Sequence, residues 1–311
     1  MNKNKIFLLF LVALIYDISE GYHLDYCNIL SLSGGGSFGA VEVGILESIH
    51  NNWNISQYDL ITGVSVGGLN AAYLSYYDDI IDGINNLKEI YENLQNKDIY
   101  KINYDLNLFN INKISIFNTD PLEKTIEKIL EKFDDNKADS VIGSTNLNSG
   151  AFEMFRLNDY KKSDKISLLL TTSAIPFAFP PRSFNGSLYV DGGLISNGII
   201  NGIESLISCE NYNLTYISSH NEISKKDNIK NIFHFTDRVI NLLYNDFDNQ
   251  IVEIRNLVCN SKINNINMNI NYCYPNSGTL DKYSILDFTK AKELIDIGNK
   301  NHICEKINLC K

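Results

Sequence analysis

One stretch of sequence determines the fold that we predict: Gly63-Val64-Ser65-Val66-Gly67. It follows the apolar run Leu60-Ile61-Thr62. A serine with a glycine two positions before it and another two positions after it suits a sharp turn from a strand into a helix. The glycines keep side chains out of a crowded turn, and the serine hydroxyl is left exposed where the helix begins. Ser65 is therefore a candidate nucleophile, although the pattern alone also suits a helix cap.

A glycine-rich loop lies upstream, between a predicted strand at 28–33 and a predicted helix at 38–50. Its sequence is Ser33-Gly34-Gly35-Gly36-Ser37-Phe38-Gly39. Consecutive glycines let backbone N–H groups converge on one point, and the dipole of the following helix adds positive potential there. Such a loop holds either a phosphate or the oxyanion of an acyl-transfer transition state.

The same loop contains the spacing Gly34-x-Gly36-x-x-Gly39, which matches the fingerprint of dinucleotide-binding folds. That fold requires an acidic residue at the end of the second strand, whereas Asp59 precedes the second predicted strand. The end of that strand carries the Ser65 turn instead. No lysine follows the glycines, which excludes a nucleoside-triphosphate loop. Dinucleotide binding stays as the third alternative.

A third element is Asp191-Gly192-Gly193, directly after the predicted short strand Leu188-Tyr189-Val190. An aspartate that leaves a strand into two glycines is often a plain turn. An apolar, proline-rich bend precedes it at 171–181. The five histidines lie outside these motifs, although His220 and His234 follow Asp191 in the order of a Ser-Asp-His hydrolase.

Together the three elements, in this order, resemble the patatin-like phospholipase family. The resemblance rests on the triple-glycine loop, the Gly-Val-Ser-Val-Gly turn, Thr-Ser-Ala-Ile-Pro followed by Phe-Pro-Pro, and Tyr-Val-Asp-Gly-Gly. It extends from about residue 26 to about residue 299. It implies an α/β fold of three layers (α/β/α) with a mostly parallel central sheet, and a lipid acyl hydrolase that needs no metal or other cofactor.

The resemblance also implies a role for each site residue. Ser65 would be the nucleophile and Asp191 the residue that orients and deprotonates it. The backbone amides of Gly34, Gly35 and Gly36 would form the oxyanion hole. An aspartate is a weak base at neutral pH, so burial must raise its pKa or the helix end must stabilise the alkoxide.

One position departs from the family pattern. Phe38 stands where the family often has arginine or lysine after the glycines. The departure favours a neutral lipid or a simple carboxylic ester over a phospholipid. Two alternatives keep the same fold: an acyltransferase that uses the same dyad, and a non-catalytic protein that binds lipid.

Composition and the amino-terminal sequence indicate the binding partners and the cellular location of the protein. The chain has 311 residues, 44% of them hydrophobic, and a net charge of −10, which argues against a nucleic-acid partner. A basic start followed by a short apolar run predicts a signal peptide at 1–21 and a secreted or lumenal protein. The remainder, 22–311, is predicted to form a single domain. Its expected partner is a lipid substrate at a membrane or lipid-aggregate surface.

Secretion favours disulfides among the six cysteines, most of which lie in the last third of the chain, without choosing among the pairings. Their spacing does not suit a zinc site. The cysteines are Cys27, Cys209, Cys259, Cys273, Cys304 and Cys310. Sequons for N-glycosylation begin at Asn54, Asn185 and Asn213.

The rest of the chain alternates between apolar runs and amphipathic stretches. We expect helices with a break across 78–137, which is also a candidate lid, and a helix or buried segment at 167–172. Short strands are expected at 214–218, 231–235 and 266–272, followed by a final helix at 287–298.

Overall fold

The computed structural model describes residues 24–53, 55–104, 114–220, 232–244 and 267–307, together with Cys259. The predicted signal peptide, the sequon at Asn54 and Cys310 lie outside these residues. Within them, no helix combines the length and the apolar character that crossing a membrane requires.

The described part of the chain contains eleven strands and nine α-helices. The strands are β1 Leu24–Leu32, β2 Leu60–Val64, β3 Lys101–Ile102, β4 Phe117–Asn118, β5 Asp139–Asn146, β6 Phe152–Arg156, β7 Arg182–Phe184, β8 Ser187–Asp191, β9 Cys209–Ile217, β10 Asn267–Pro275 and β11 His302–Ile307. The helices are α1 Gly39–His50, α2 Val66–Leu74, α3 Ile80–Asn93, α4 Asn96–Ile99, α5 Asp120–Leu130, α6 Lys162–Thr172, α7 Ile203–Leu206, α8 Ile232–Tyr244 and α9 Ala291–Lys300.

Nine of the strands form one sheet in the order β11-β10-β9-β1-β2-β5-β8-β7, with β6 paired to β5. The five consecutive strands from β10 to β5 are parallel, and the remaining pairs are antiparallel. Strands β3 and β4 form a separate two-stranded ribbon. The predicted α/β fold with a mostly parallel central sheet is thus confirmed.

Both faces of the sheet are buried, because successive side chains of a strand point to opposite sides. In β1, Leu30 and Leu32 enter a large apolar cluster with side chains of α1, α2, α3, α5, α6 and α9. Cys27 and Ile29 enter a smaller cluster on the other face, which the chain at 199–203 closes. Strands buried on both faces tend to be rich in apolar residues, as the sequence of β2 is.

Most predicted elements are confirmed, and one is wrong. Residues 231–235 were expected to form a strand, but from Ile232 onward they belong to α8. The buried side chains of this helix, Thr236, Asp237 and Ile240, follow helical spacing rather than strand alternation. Six strands were not predicted, including the central strand β5; the others are β3, β4, β6, β7 and β11. Helices α3 and α5, within the predicted lid segment, bury side chains in the larger cluster.

Two disulfides join strands of the sheet. Cys27 in β1 is bonded to Cys209 in β9, with Cα atoms 6.1 Å apart, and Cys273 in β10 to Cys304 in β11, with Cα atoms 4.1 Å apart. Cys259 is also disulfide-bonded. The prediction of disulfides is confirmed, but the first bridge joins the amino-terminal strand to the last third of the chain rather than staying within that third.

Replacing Cys27 and Cys209 together by alanine is expected to lower the free energy of unfolding by about 2–5 kcal/mol. The bridge closes a loop of 182 residues, and a long loop gains much entropy in the unfolded chain when it is released. Denaturant titration under non-oxidising conditions measures the change. The matched control, Cys273→Ala with Cys304→Ala, opens a loop of only 31 residues and should lose less. Equal midpoints for wild type and the first variant would contradict the expectation.

Candidate active site

Ser65 occupies the sharp turn between β2 and α2 that its flanking glycines predict. Its φ of 56° and ψ of −128° are strained for a residue with a side chain. A Cβ at Gly63 would overlap the carbonyl of Gly67, and a Cβ at Gly67 would overlap the carbonyls of Leu32 and Ser33. The two glycines therefore allow β2, α2 and the end of β1 to approach closely enough to hold Ser65 in this conformation.

Helix α6 fixes the backbone of Ser65 through a hydrogen bond to Thr172. The Ser65 N–H donates to Thr172 Oγ1 at 2.9 Å, and the Thr172 hydroxyl donates to the Gly143 carbonyl at 2.5 Å. Thr172 is completely buried. Thr172 therefore links α6 to β5 and engages only the backbone of Ser65, not its hydroxyl.

Sheet register brings Asp191 to Ser65. Val64, the residue before Ser65, pairs with Gly143 in β5, and the next residue, Ser144, pairs with Asp191 at the end of β8. Residues far apart in sequence thus come to neighbouring strands at the same level of the sheet. The structure brings the two predicted residues of the dyad together.

Asp191 is fully buried, with no exposed surface. Its N–H donates to the Ala174 carbonyl at 3.0 Å, and its Oδ1 accepts from the Gly193 N–H at 2.9 Å. Burial raises the pKa of Asp191 from 3.8 to about 7, although the nearby Ser65 hydroxyl and the Gly193 N–H lower it in part. The other carboxylate oxygen, Oδ2, is buried without a hydrogen-bond partner among the described residues. A carboxyl with a pKa near neutrality is able to accept and return a proton at physiological pH.

The glycine loop packs directly against the serine. A Cβ at Gly34 would lie 2.9 Å from the Ser65 Cβ. The Gly34 N–H donates to the Asn197 carbonyl at 3.1 Å, so it is already engaged. The N–H groups of Gly35 and Gly36 have no hydrogen-bond acceptor among the described residues. Two of the three predicted oxyanion donors are thus available to a ligand.

The carbonyl of Gly34 is held by three side-chain donors. These are Ser219 Oγ at 2.7 Å, Asn197 Nδ2 at 3.1 Å and Ser33 Oγ at 3.2 Å. The peptide bond between Gly34 and Gly35 is trans, so the Gly35 N–H points opposite to that carbonyl. Fixing the carbonyl therefore fixes the direction of the Gly35 N–H.

The far end of the loop is held by the chain before α9. The Ser37 N–H donates to the Ile285 carbonyl at 2.8 Å, and the Ser37 hydroxyl donates to the Ser284 carbonyl at 2.9 Å. Gly36 has a φ of +55°, and a Cβ there would overlap the Ile285 carbonyl. Phe38 is buried in the larger apolar cluster, so the loop is ordered at this position by packing rather than by a charge.

A buried acid lies behind the loop, on α1. Asn70 Nδ2, in α2, donates to Glu42 Oε2 at 2.9 Å, and the Tyr91 hydroxyl, in α3, donates to Asn70 Oδ1 at 2.8 Å. Burial raises the pKa of Glu42 well above its ordinary value. The chain of hydrogen bonds joins the three helices that surround the Ser65 turn.

The remaining polar candidates take other positions. Asp59 accepts from the Asn28 N–H at 2.8 Å, at the edge of the sheet opposite the glycine loop, where it cannot serve a dinucleotide bound at that loop. His220 Nδ1 lies 2.9 Å from Ser219 Oγ and so reaches the loop through Ser219. In the described part of the chain, no group of three or more histidine, cysteine, aspartate or glutamate side chains comes together as a metal site.

Sequence reasoning did not single out Thr172, Asn197, Ser219 or Glu42. All four are buried polar residues that fix backbone or helices around the site. Asn197 follows the Asp191 turn by six positions in an otherwise apolar stretch, which is a usable signal. Ser219 lies just beyond a strand end, where parallel strands bring functional residues together.

The fold and this arrangement define a class of α/β proteins with a serine at a strand-to-helix turn beside a glycine-rich loop. Comparison with known proteins specifies the class further: the model of the patatin-like phospholipases matches residues 30–206. The chain belongs to the patatin-like phospholipase family.

Individual relatives match over shorter parts of their length. A cGAMP-activated phospholipase of Escherichia coli (strain TW11681) is 31% identical over 191 residues, which cover 54% of this chain and 52% of the relative. A protein of the same description from Vibrio cholerae serotype O1 is 27% identical over 206 residues, covering 57% of each chain. This chain thus spans about half the length of the curated relatives it matches. Among solved structures, VipD from Legionella pneumophila aligns with 90% of this chain and 68% of its own, at 12% identity and a TM-score of 0.38.

Proposed function

We propose that this protein hydrolyses fatty-acyl ester bonds of lipids through an acyl-enzyme formed on Ser65. The observation that carries the proposal is a fully buried Asp191, with a pKa near 7, next to a serine held in a strained turn. Membership of a phospholipase family supports a lipid substrate.

In the first step, the Ser65 Oγ attacks the acyl carbonyl carbon while Asp191 takes its proton. The negative charge that develops on the carbonyl oxygen is stabilised by the N–H groups of Gly35 and Gly36. The positive end of the α2 dipole lies at Ser65 and favours the attacking alkoxide. The ester bond then breaks, and the alcohol leaves with the proton held by Asp191.

In the second step, water replaces the alcohol. Asp191 takes a proton from the water, whose oxygen attacks the acyl carbon, and the fatty acid leaves as Ser65 regains its proton. An alcohol in place of water would make the same site an acyltransferase. The buried Phe38 offers no charge to a head group, so we propose that the favoured substrates are neutral or zwitterionic acyl esters.

We also propose that the protein acts in the secretory pathway or outside the cell. The disulfides support this setting, because such bonds persist in oxidising compartments. The acidic chain is expected to meet its substrate through apolar rather than basic side chains.

A fluorophosphonate probe tests the mechanism, because a reactive serine displaces fluoride from phosphorus and keeps the phosphonyl group. We expect one adduct, located on the peptide that contains Ser65 by mass spectrometry. Ser65→Ala should abolish labelling, and Ser48→Ala, a change at a partly exposed position of α1, should leave it intact. Labelling that persists in Ser65→Ala would contradict the assignment. No labelling of any form would favour a protein that binds lipid without hydrolysing it.

A further inference from the structure

Exposed apolar side chains collect at the edge of the sheet where the candidate active site lies. Parallel strands β1, β2, β5, β9 and β10 all end at this edge, and the glycine loop and Ser65 follow the first two. Besides Leu147 after β5 and Ile303 in β11, six large apolar side chains on segments of this edge are exposed to solvent. They are Tyr104, Phe177, Leu194, Ile195, Phe235 and Leu242, here called the apolar rim.

Leu194 and Ile195 come three and four residues after Asp191, in the short helical turn that Asp191 caps. Phe177 comes three residues after Ala174, whose carbonyl accepts from the Asp191 N–H. The Phe177 carbonyl in turn accepts from the Ile116 N–H, next to β4, and this ribbon also carries Tyr104. Both segments that hold Asp191 thus carry exposed apolar side chains.

Helix α8 carries the remaining side chains of the apolar rim. It contacts the turn after Asp191 and the segment that holds the glycine loop. It packs against the turn 192–194. Its Asp237 Oδ1 accepts from the Ser284 hydroxyl at 2.6 Å and from the Ile285 N–H at 3.1 Å. Residues 284 and 285 are the ones that hold Ser37 of the glycine loop. The position of α8 is therefore set by the site itself.

The two faces of α8 differ. Thr236, Asp237 and Ile240 are buried against the protein, whereas Phe235 and Leu242 are 53% and 48% exposed. Positions seven apart lie on one side of a helix, so these two side chains share the outer face. The helix thus exposes Phe235 and Leu242, with the partly buried Arg238 between them, beside the candidate active site.

Phe177 adds a sign of local strain. It is 68% exposed and has a φ of +68°, a backbone conformation that an aromatic residue rarely adopts. Neither burial of its ring nor a relaxed backbone accounts for phenylalanine here. Strain of this kind concentrates at ligand-binding segments.

We infer that the apolar rim is the surface on which the protein docks to a neutral or zwitterionic lipid bilayer, with the candidate active site facing the lipid. The inference rests on the proposed function, because an acyl ester in a bilayer must reach Ser65 from a lipid surface. The net charge of −10 gives no attraction to anionic lipid, so apolar insertion supplies the binding. Continuity of the rim with both segments that hold Asp191 favours lipid over a second copy of the chain.

Vesicle flotation of the full chain carrying Ser65→Ala tests the inference, since the vesicles then stay intact. The rim variant combines Phe177→Asn, Phe235→Gln and Leu242→Gln. Asparagine tolerates the positive φ at 177, and glutamine suits a helix, so the fold should persist. The control combines Tyr26→Asn and Ile81→Gln, two apolar side chains of similar exposure that lie away from this edge of the sheet.

We expect the Ser65→Ala protein and the control to float with phosphatidylcholine vesicles, and the rim variant to bind at least about tenfold more weakly. Adding phosphatidylserine should not strengthen binding. Equal flotation of rim variant and control would overturn the inference, as would binding that requires phosphatidylserine. A concentration-dependent dimer that the rim variant loses, without any vesicle binding, would assign the rim to a second copy instead.

A water-soluble short-chain ester separates this inference from the proposed function. With Ser65 present, the rim variant should hydrolyse p-nitrophenyl butyrate like wild type, while hydrolysis of vesicle lipid falls at least about tenfold. Flotation that depends on the rim, without hydrolysis of any ester, would support the docking surface and refute only the proposed function. Ester hydrolysis with flotation that ignores the rim would do the reverse.

Discussion

Asp191→Asn is expected to lower kcat for ester hydrolysis by about 10³–10⁴-fold, the loss typical when the acid of a serine hydrolase is made neutral. Asparagine has the shape of aspartate and can still accept from the Gly193 N–H, but it cannot take the Ser65 proton. Steady-state kinetics on p-nitrophenyl butyrate measure the change. Asn185→Asp, at the exposed tip of the β7–β8 hairpin, is an activity-neutral control. A loss below tenfold would remove Asp191 from the mechanism.

Relative to wild type, the same variant should become more stable as pH rises, because the wild type loses stability. Burial raises the pKa of Asp191 in the folded protein to about 7, above its ordinary value of 3.8. The folded state therefore binds this proton more tightly than the unfolded state. The stabilisation is complete below pH 3.8 and is lost as pH rises through about 7.

At pH 8 the wild type carries a buried carboxylate that Asp191→Asn lacks. The difference in melting temperature, variant minus wild type, should therefore be larger at pH 8 than at pH 5. Wild-type kcat/KM should rise with pH through about 7, as the base ionises. A variant less stable than wild type at pH 8, or a rate without a limb near neutrality, would contradict a buried base.

The second large effect concerns the supports of the Gly34 carbonyl. Asn197→Ala combined with Ser219→Ala is expected to lower kcat by about 10²-fold, the scale on which an oxyanion donor acts. Both side chains hold the carbonyl whose peptide partner is the Gly35 N–H. Without them that N–H is no longer aimed at one point, although Ser65 and Asp191 remain in place.

A positioning role predicts a particular kinetic pattern. KM should change little, because the oxyanion forms only in the transition state, and the fluorophosphonate should still label Ser65, more slowly. Ser205→Ala, at an exposed helix start, is the control and should leave kcat unchanged. An effect confined to KM, or a loss of labelling that follows unfolding, would indicate a purely structural role.

Sequence alone predicted the parts of the molecule that depend on local pattern. Glycine spacing indicated the turn at Ser65, because close backbone approach leaves a visible trace in residue type. Alternating apolar runs indicated the parallel sheet. The pattern at 231–235 failed because a short amphipathic stretch does not distinguish a strand from a helix, and the buried positions of α8 became clear only with its neighbours.

Long-range contacts were beyond the reach of the sequence. Nothing local shows that Ser219 approaches Gly34, since the contact arises from the pairing of β9 with β1. The engagement of the Gly34 N–H by Asn197 is also a long-range contact, made by the segment that follows β8. The disulfide between Cys27 and Cys209 likewise follows from that strand pair, which brings residues 182 positions apart together.

Some residues that hold the glycine loop lie outside the part of the chain that matches the family. Both side chains of the proposed dyad lie within residues 30–206, yet Ser219 and Ile285, which hold the glycine loop, lie beyond that range. Part of the support of the glycine loop is thus encoded outside the stretch that carries the proposed reacting groups, while Asn197 and Ser33 support the loop from within it. Changes confined to the last third of the chain can therefore retune turnover while the reacting groups stay untouched.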